Sequence, residues 1–146
     1  MRLTSFTDFG MRALMRMASE PDRTYSTAEL ADEFGLSRNH LTKIIATLAR
    51  AGIVTTRRGG GGGAMLARSA DQIRLGAVVR LLEEGQPMVE CFAPSGGSCT
   101  LTGGCRLAGR LRSAEAVFLA ELDRSTLADV ALPSRAPARP ASQVSV

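Results

Sequence analysis

The chain has 146 residues, enough for one compact core or a small domain with a dimerising extension, and too few for two independent cores. Aromatic residues make up 4% of a sequence that is 45% hydrophobic and has no Trp. A core must therefore be built from Leu, Ile, Val, Met and Ala, which suits helices packed on helices and argues against a β-sandwich. The formal charge of +4 is unevenly spread. Residues 1–80 hold 12 Lys and Arg against 7 Asp and Glu and residues 81–146 hold 6 against 7, a split that suits a nucleic-acid-binding module joined to something else and equally an Arg-rich solvated face.

A first helix is predicted over 5–18, where Phe6, Gly10, Ala13, Leu14 and Met17 share a face and Arg12 and Arg16 fall on the other side. Pro21 and Asp22 close it. Ser26-Thr27-Ala28-Glu29 has the spacing of a capping box and opens a second helix, with Ala28, Ala31 and Phe34 inward and Gly35 placed to end it. Ser37 then caps a third helix, whose Leu41, Ile44, Ile45 and Leu48 recur at helical spacing until Gly52.

Residues 53–56 are β-branched and read as a strand. Arg57, Arg58 and the run Gly59 to Gly63 follow, then a second short strand over 64–67, together a hairpin with a loose tip. A helix over 75–83 turns Val78, Val79 and Leu82 inward and stops at Gly85. Residues 86–104, rich in Gly, Ser and Pro, form a loop around the cysteines. A long helix is predicted over 106–127, its Leu107, Leu111, Ala114, Phe118 and Leu122 forming a stripe able to pair with its own copy. The expected organisation is thus a DNA-binding domain at 1–85, a cysteine loop at 86–105, a dimerisation helix at 106–130 and a disordered tail at 131–146.

Helix, glycine turn, capped helix and Arg-bearing hairpin follow in the order of a winged helix-turn-helix. The fold expected is therefore mostly α, with a small β-hairpin wing and a long C-terminal dimerisation helix. In such a module the second of the paired helices lies in the major groove of double-stranded operator DNA. Arg38, Asn39 and His40 would face base edges, with Thr42 and Lys43 one turn on, all off the apolar face. Arg57 and Arg58 would approach the phosphate backbone beside a glycine tip that offers no side chain to clash. The glycine run lacks the Gly-Lys-Ser/Thr ending of a nucleotide loop. No nucleophile–base pair or dinucleotide fingerprint appears, so an enzyme is not expected. The amino end lacks a signal-peptide pattern and no stretch approaches a membrane span, so a cytoplasmic protein with no membrane partner is expected.

Three cysteines in a reducing compartment point to metal or redox chemistry and away from a disulfide framework. Cys91, Cys99 and Cys105 stand among Gly96, Gly97, Gly103 and Gly104, which let the backbone fold back so that three thiolates can converge. Soft thiolates suit an iron–sulfur cluster, 4Fe-4S in preference to 2Fe-2S. Zinc competes, although its structural sites usually show a closer cysteine pair than any present here. A 4Fe-4S cluster would need a fourth ligand, sought among the acids. Asp8 is available, but an acid in the first turn of a helix is favoured by the helix dipole anyway, so the residues alone do not select it.

With both features in view, the chain resembles the iron–sulfur branch of a bacterial family of winged-helix repressors, the branch that includes IscR, RirA and NsrR. The resemblance runs from Met1 to about Leu127. It rests on Met1-Arg2-Leu3-Thr4 with Thr7-Asp8-Phe9, on Leu36-Ser37 to Ala51-Gly52-Ile53-Val54, on Arg58-Gly59 with Gly62-Gly63 and Leu66-Ala67-Arg68, and on the three cysteines. IscR-like members use a histidine three residues after the last cysteine, where this chain has Ala108. RirA-like members tend to carry Asn in place of Asp8. The NsrR-like pattern keeps the Asp, and the resemblance implies that Asp8 reaches the cluster of the partner subunit in a homodimer. It further implies a repressor that senses nitric oxide and releases its operator on nitrosylation or loss of the cluster. The alternatives are an iron-availability sensor of the RirA type and a zinc or thiol-redox regulator without a cluster. The all-glycine wing departs from the family, whose wings often carry a further Arg.

Overall fold

The computed structural model describes residues 2–134. Its elements are α1 (Ser5–Ser19), α2 (Thr27–Phe34), α3 (Arg38–Arg50), β1 (Val54–Arg57), β2 (Gly63–Leu66), α4 (Leu75–Leu82) and α5 (Arg106–Leu122). This is the mostly helical winged helix-turn-helix the sequence implies. No helix among the described residues is long and apolar enough to cross a membrane.

Helix α1 is the axis of the core. Ala13 and Leu14 are fully buried, as are Leu30 and Ala31 of α2, Leu41, Ile44 and Leu48 of α3, and Val78 of α4. Each large aliphatic side chain buried in this way contributes about 1.5–3 kcal/mol. Thr4 caps α1, its hydroxyl accepting from the Thr7 N–H at 3.3 Å. Thr4 also donates from its N–H and its hydroxyl to Oε1 of Glu83, at 2.8 and 2.9 Å, tying the start of α1 to the end of α4. Arg16, expected on the solvent side, instead reaches across to Glu33 of α2 at 2.6 Å.

Gly35 ends α2 in the left-handed conformation, with φ at 65°, and Ser37 caps α3 by accepting from the His40 N–H at 3.2 Å. At α2 only half of the expected capping box forms. Ser26 accepts from the Glu29 N–H at 3.0 Å, but the Glu29 carboxylate pairs with Arg23 instead of turning back. Hydrogen bonding to Glu20 is the main reason the Arg23 pKa is raised, with Glu29 adding to it. The inward residues of α2 are Leu30 and Ala31, while Ala28 and Phe34 are half-buried. The α2 seam is thus rotated from the one predicted.

The wing pairs Val54 with Leu66 through to Arg57 with Gly63, antiparallel, so both strands sit one residue off the predicted bounds and Gly63 is part of β2. An isolated bridge adds a third, unpredicted segment to the wing. Tyr25 donates its N–H to the Ala64 carbonyl at 2.9 Å and accepts from the Ala64 N–H at 2.7 Å. A single bridging residue leaves no alternating pattern to read.

The last helix is shorter than predicted. It ends at Leu122, because Asp123 turns back to Arg80 of α4, and Leu127 is buried separately in a 3-10 turn, Leu127–Val130. Leu132 donates its N–H to the Met15 carbonyl at 3.3 Å, so the start of the predicted tail lies against α1. Residues 135–146 of that tail lie outside the described residues. Of the expected pairing stripe on α5, Leu107 and Ala114 are exposed, while Leu111, Phe118 and Leu122 are half-buried, Leu122 against the core. No residue of α5 is buried, and Leu107 and Val117 are 63% and 69% exposed.

Two expectations follow. A side chain at Gly76 would meet the Leu119 carbonyl and the Asp123 carboxylate, groups that cannot yield cheaply. Gly76→Val should lower the unfolding free energy by about 1–3 kcal/mol in denaturant titration. Asp129 accepts from the N–H and hydroxyl of Thr126 at 2.7 and 3.1 Å, which holds its carboxyl below the ordinary range. The stability this contributes is present above the ordinary carboxylate pKa of about 3.9 and is lost as pH falls through the lowered value. Asp129→Asn should flatten that part of the acid limb in thermal melts.

Candidate DNA interface and cysteine cavity

The recognition helix exposes what the sequence predicts. Arg38, Asn39, Thr42 and Lys43 are exposed, while Leu41, Ile44, Ile45 and Leu48 are buried. The first turn of α3 contains no acid, and Arg38 occupies a place the helix dipole would give to one. The Thr42 hydroxyl donates to the Arg38 carbonyl at 2.8 Å, which leaves its lone pairs to face outward. Arg57 and Arg58 are exposed on the wing.

His40, expected to face base edges, also lies against α1. Its ring is half-buried, stacked on Phe6 with centroids 6.1 Å apart and rings inclined by 24°, and met edge-on by Phe9 at 6.1 Å and 76°. His40, the third residue of α3, thus has its ring against Phe6 and Phe9 of α1.

The cysteine loop contains one 3-10 turn, Glu90–Phe92, which carries Cys91. Gly97, with φ at 62°, folds the chain back so closely on the Glu90 carbonyl that a side chain would collide with it at 2.8 Å. The Thr102 hydroxyl donates to the Cys99 carbonyl. Cys105 is the N-cap of α5, where unpaired helix amides favour negative charge. The result is a cavity of about 380 Å³ whose wall includes all three cysteines, together with Thr102, Gly103, Gly104, Arg106, Ala108 and Arg112. All three thiols are free and half-buried.

No His, Asp or Glu stands on that wall. Among the described residues no three His, Cys, Asp or Glu side chains are drawn together tightly enough to hold a metal ion. The donor set nevertheless fits a thiolate-ligated group. Three soft donors face one space, with two guanidinium-bearing residues to offset the negative charge such a group carries. Sequence reasoning missed Arg106 and Arg112. A signal existed for the first, because α5, like α3, opens on an arginine with no acid in its first turn. Arg112 also stacks on Phe92, 4.6 Å from its ring centroid, fixing the helix to the loop.

Asp8 is absent from the wall of its own protomer's cavity. It lies on the open face of α1, where both oxygens accept from Arg12 at 3.1 and 2.7 Å. Both side chains are about half exposed, so an i,i+4 pair of this kind is worth only about 0.3–0.5 kcal/mol. Asp8 can exchange Arg12 for another cation at small cost.

A reading helix seated on a helical core, with a two-stranded wing behind it, defines a winged-helix transcription regulator. Residues 3–132 match the model of the Rrf2 family, described as iron-dependent transcriptional regulators, and the chain belongs to that family. The structure is similar to T. potens IscR, with 27% identity and a TM-score of 0.69, covering 88% of this chain and 85% of that one. It is similar also to the oxidised form of Staphylococcus aureus CymR, with 26% identity and a TM-score of 0.67, covering 90% and 96%. A regulator from Listeria innocua matches at 26% identity and a TM-score of 0.67, covering 89% and 85%.

The exposed polar positions of α3 carry an expectation about DNA. With an operator in hand, Arg38→Ala or Asn39→Ala should each cost about 1–3 kcal/mol and relax base preference at one position. Lys43→Ala should weaken binding to all sequences alike and reduce the salt slope by about one. Fluorescence anisotropy over a salt series separates the two outcomes.

Proposed function

We propose that this regulator is a repressor controlled by an iron–sulfur cluster, held by Cys91, Cys99 and Cys105 of one protomer and Asp8 of the partner subunit, and that its signal is nitric oxide. The observation that carries the reading is the cavity whose wall includes all three cysteines and no His, Asp or Glu. Asp8 on an outward face of α1 and the open apolar side chains of α5 are what a site shared between two copies requires. Ala108 occupies the cavity wall where IscR-like members have a ligating histidine.

Each group has a definite task. The three thiolates would hold and orient the cluster, and Arg106 and Arg112 would balance its charge. When bound, the group supplies iron that is reactive toward nitric oxide. Asp8 would provide a harder, more exchangeable donor than a thiolate. Arg38, Asn39, Thr42 and Lys43, with the wing's Arg57 and Arg58, hold the operator. Cluster and operator are then two sites sharing one coupling free energy. A coupling of about 3 kcal/mol changes operator affinity by roughly a hundredfold.

The test is direct. Protein purified without oxygen should be brown, and Cys99→Ala should be colourless. Nitric oxide added to the brown protein should release operator DNA. Release by an iron chelator alone, with nitric oxide inert, would indicate an iron-availability sensor, in keeping with the family's description as iron-dependent. Colourless protein carrying stoichiometric zinc would overturn the cluster. A second reading, a thiol-redox regulator, is favoured by three free, partly exposed cysteines and by likeness to a CymR known in an oxidised form. It requires operator binding to respond to a mild thiol oxidant in protein that never held iron.

A further inference from the structure

Of the five glycines that form the wing's turn, four are required by the fold itself. Gly59 and Gly61 have φ at 100° and 75°, in the left-handed region. A side chain at Gly62 would collide with the Arg57 and Gly59 carbonyl oxygens, at 2.5 and 2.7 Å, and one at Gly63 with the carbonyl of Tyr25. Gly60 has neither reason. Its backbone lies outside the left-handed region, and nothing stands within 4 Å of the place where a side chain would begin. Other residues would fit there, and glycine costs the fold backbone entropy. The turn is closed by the Gly62 N–H, which donates to the Gly59 carbonyl at 2.9 Å. Among the described residues no backbone carbonyl accepts from the N–H of Gly60 or Gly61, and both residues are exposed. Arg57 ends β1 and Arg58 follows it, so the wing's two exposed arginines belong to its base and not to its tip.

We propose that Gly60 sets how the wing treats DNA: with no side chain at the one tip position free to carry it, the wing grips phosphates and reads no base. The inference rests on α3 and the wing as the DNA-facing elements. One base pair is told from another only by a group that reaches its edge or responds to the width of its groove. Main-chain N–H groups and arginines on phosphate oxygens do neither, because every nucleotide carries the same phosphate. The wing then adds affinity and salt dependence to all sequences alike, while Arg38 and Asn39 of α3 carry the discrimination. A side chain at position 60 is what a reading wing would need. An arginine there would extend past the tip, and a narrow, A·T-rich minor groove attracts a guanidinium.

The probe is a library of DNA duplexes with a randomised core, bound by the full chain prepared without oxygen and sequenced after selection. The wild type should select bases in one block per half-site, which Arg38→Ala or Asn39→Ala relaxes. Hydroxyl-radical footprinting on a selected duplex should show, outside that block, a protected stretch of backbone whose bases are not selected. Arg57→Ala and Arg58→Ala should each thin that protection, weaken binding by about fivefold near physiological salt and leave the selected sequence unchanged. Gly60→Ala should select as the wild type does and melt no lower. Gly60→Arg should fold and add a second selected block, rich in A·T, within the protected stretch. Wild-type selection of bases in that stretch overturns the proposal, as does a folded Gly60→Arg that selects like the wild type. A Gly60→Arg chain that does not melt cooperatively shows that the position is not free, and overturns it too. Lack of protection outside the α3 block removes the wing from the DNA and leaves the reading of α3 intact. Lack of any selection by the wild type overturns the reading of α3, and the proposal with it.

Discussion

Helix α1 is enclosed by α3, α4, the second wing strand and the 3-10 turn at Leu127–Val130, and this enclosure is the constraint on which the rest of the molecule depends. Ala13 and Leu14 expose no surface and Met17 only 1%. Gly10 is squeezed between Ile44 of α3 and Leu82 of α4, with room for no larger residue unless Leu82 moves. A close-packed interior resists gradual deformation, so α1 moves with its neighbours or stays. The reading helix therefore inherits its orientation from α1.

The chemistry is arranged around that axis in unequal strengths. Burial of the aliphatic core fixes the helices relative to one another, whereas the Asp8–Arg12 pair on the open face is half exposed and cheap to exchange. A weak, exposed interaction resting on a rigid element suits a contact meant to be exchanged. The cysteine loop has the opposite character. It contributes no residue to the buried core, and its shape comes from close turns, from Cys105 at the start of α5 and from the stacking of Arg112 on Phe92. Thiolates held by a loop can adjust to a group of several atoms, while the carboxylate proposed to complete the site comes from a helix that cannot adjust without effect elsewhere.

Much of this was legible in the sequence because local rules and burial agree. Leu41, Ile44, Ile45 and Leu48 recur at 3.6-residue spacing and are buried, and Ser37 and Gly35 mark the turn by capping chemistry that depends on few neighbours. The three cysteines line one cavity, and Gly97 makes one of the close turns that the glycines around them suggest. What could not be read depends on residues distant in sequence. Tyr25 bridges Ala64, Arg23 diverts Glu29 from its cap, and Asp123 meets Arg80 and ends α5 before Leu127. Each is a tertiary partner overriding a local preference. The contacts of His40 with Phe6 and Phe9 belong with these, since nothing local in the sequence announces them. Asp8 is the opposite case, visible from the start but set apart from other first-turn acids only by family resemblance.

The central claim is that one cluster draws thiolates from one chain and a carboxylate from the other. The most direct measurement is the visible spectrum and iron content of a mixed dimer, one chain carrying Asp8→Ala and the other Cys91, Cys99 and Cys105 all changed to Ala. One complete site then remains, with thiols from the first chain and Asp8 from the second. The expected result is the wild-type spectrum at half the wild-type iron per dimer, distinct from the spectrum of the Asp8→Ala homodimer. A mixed dimer that shows the Asp8→Ala spectrum at half intensity would contradict the shared site.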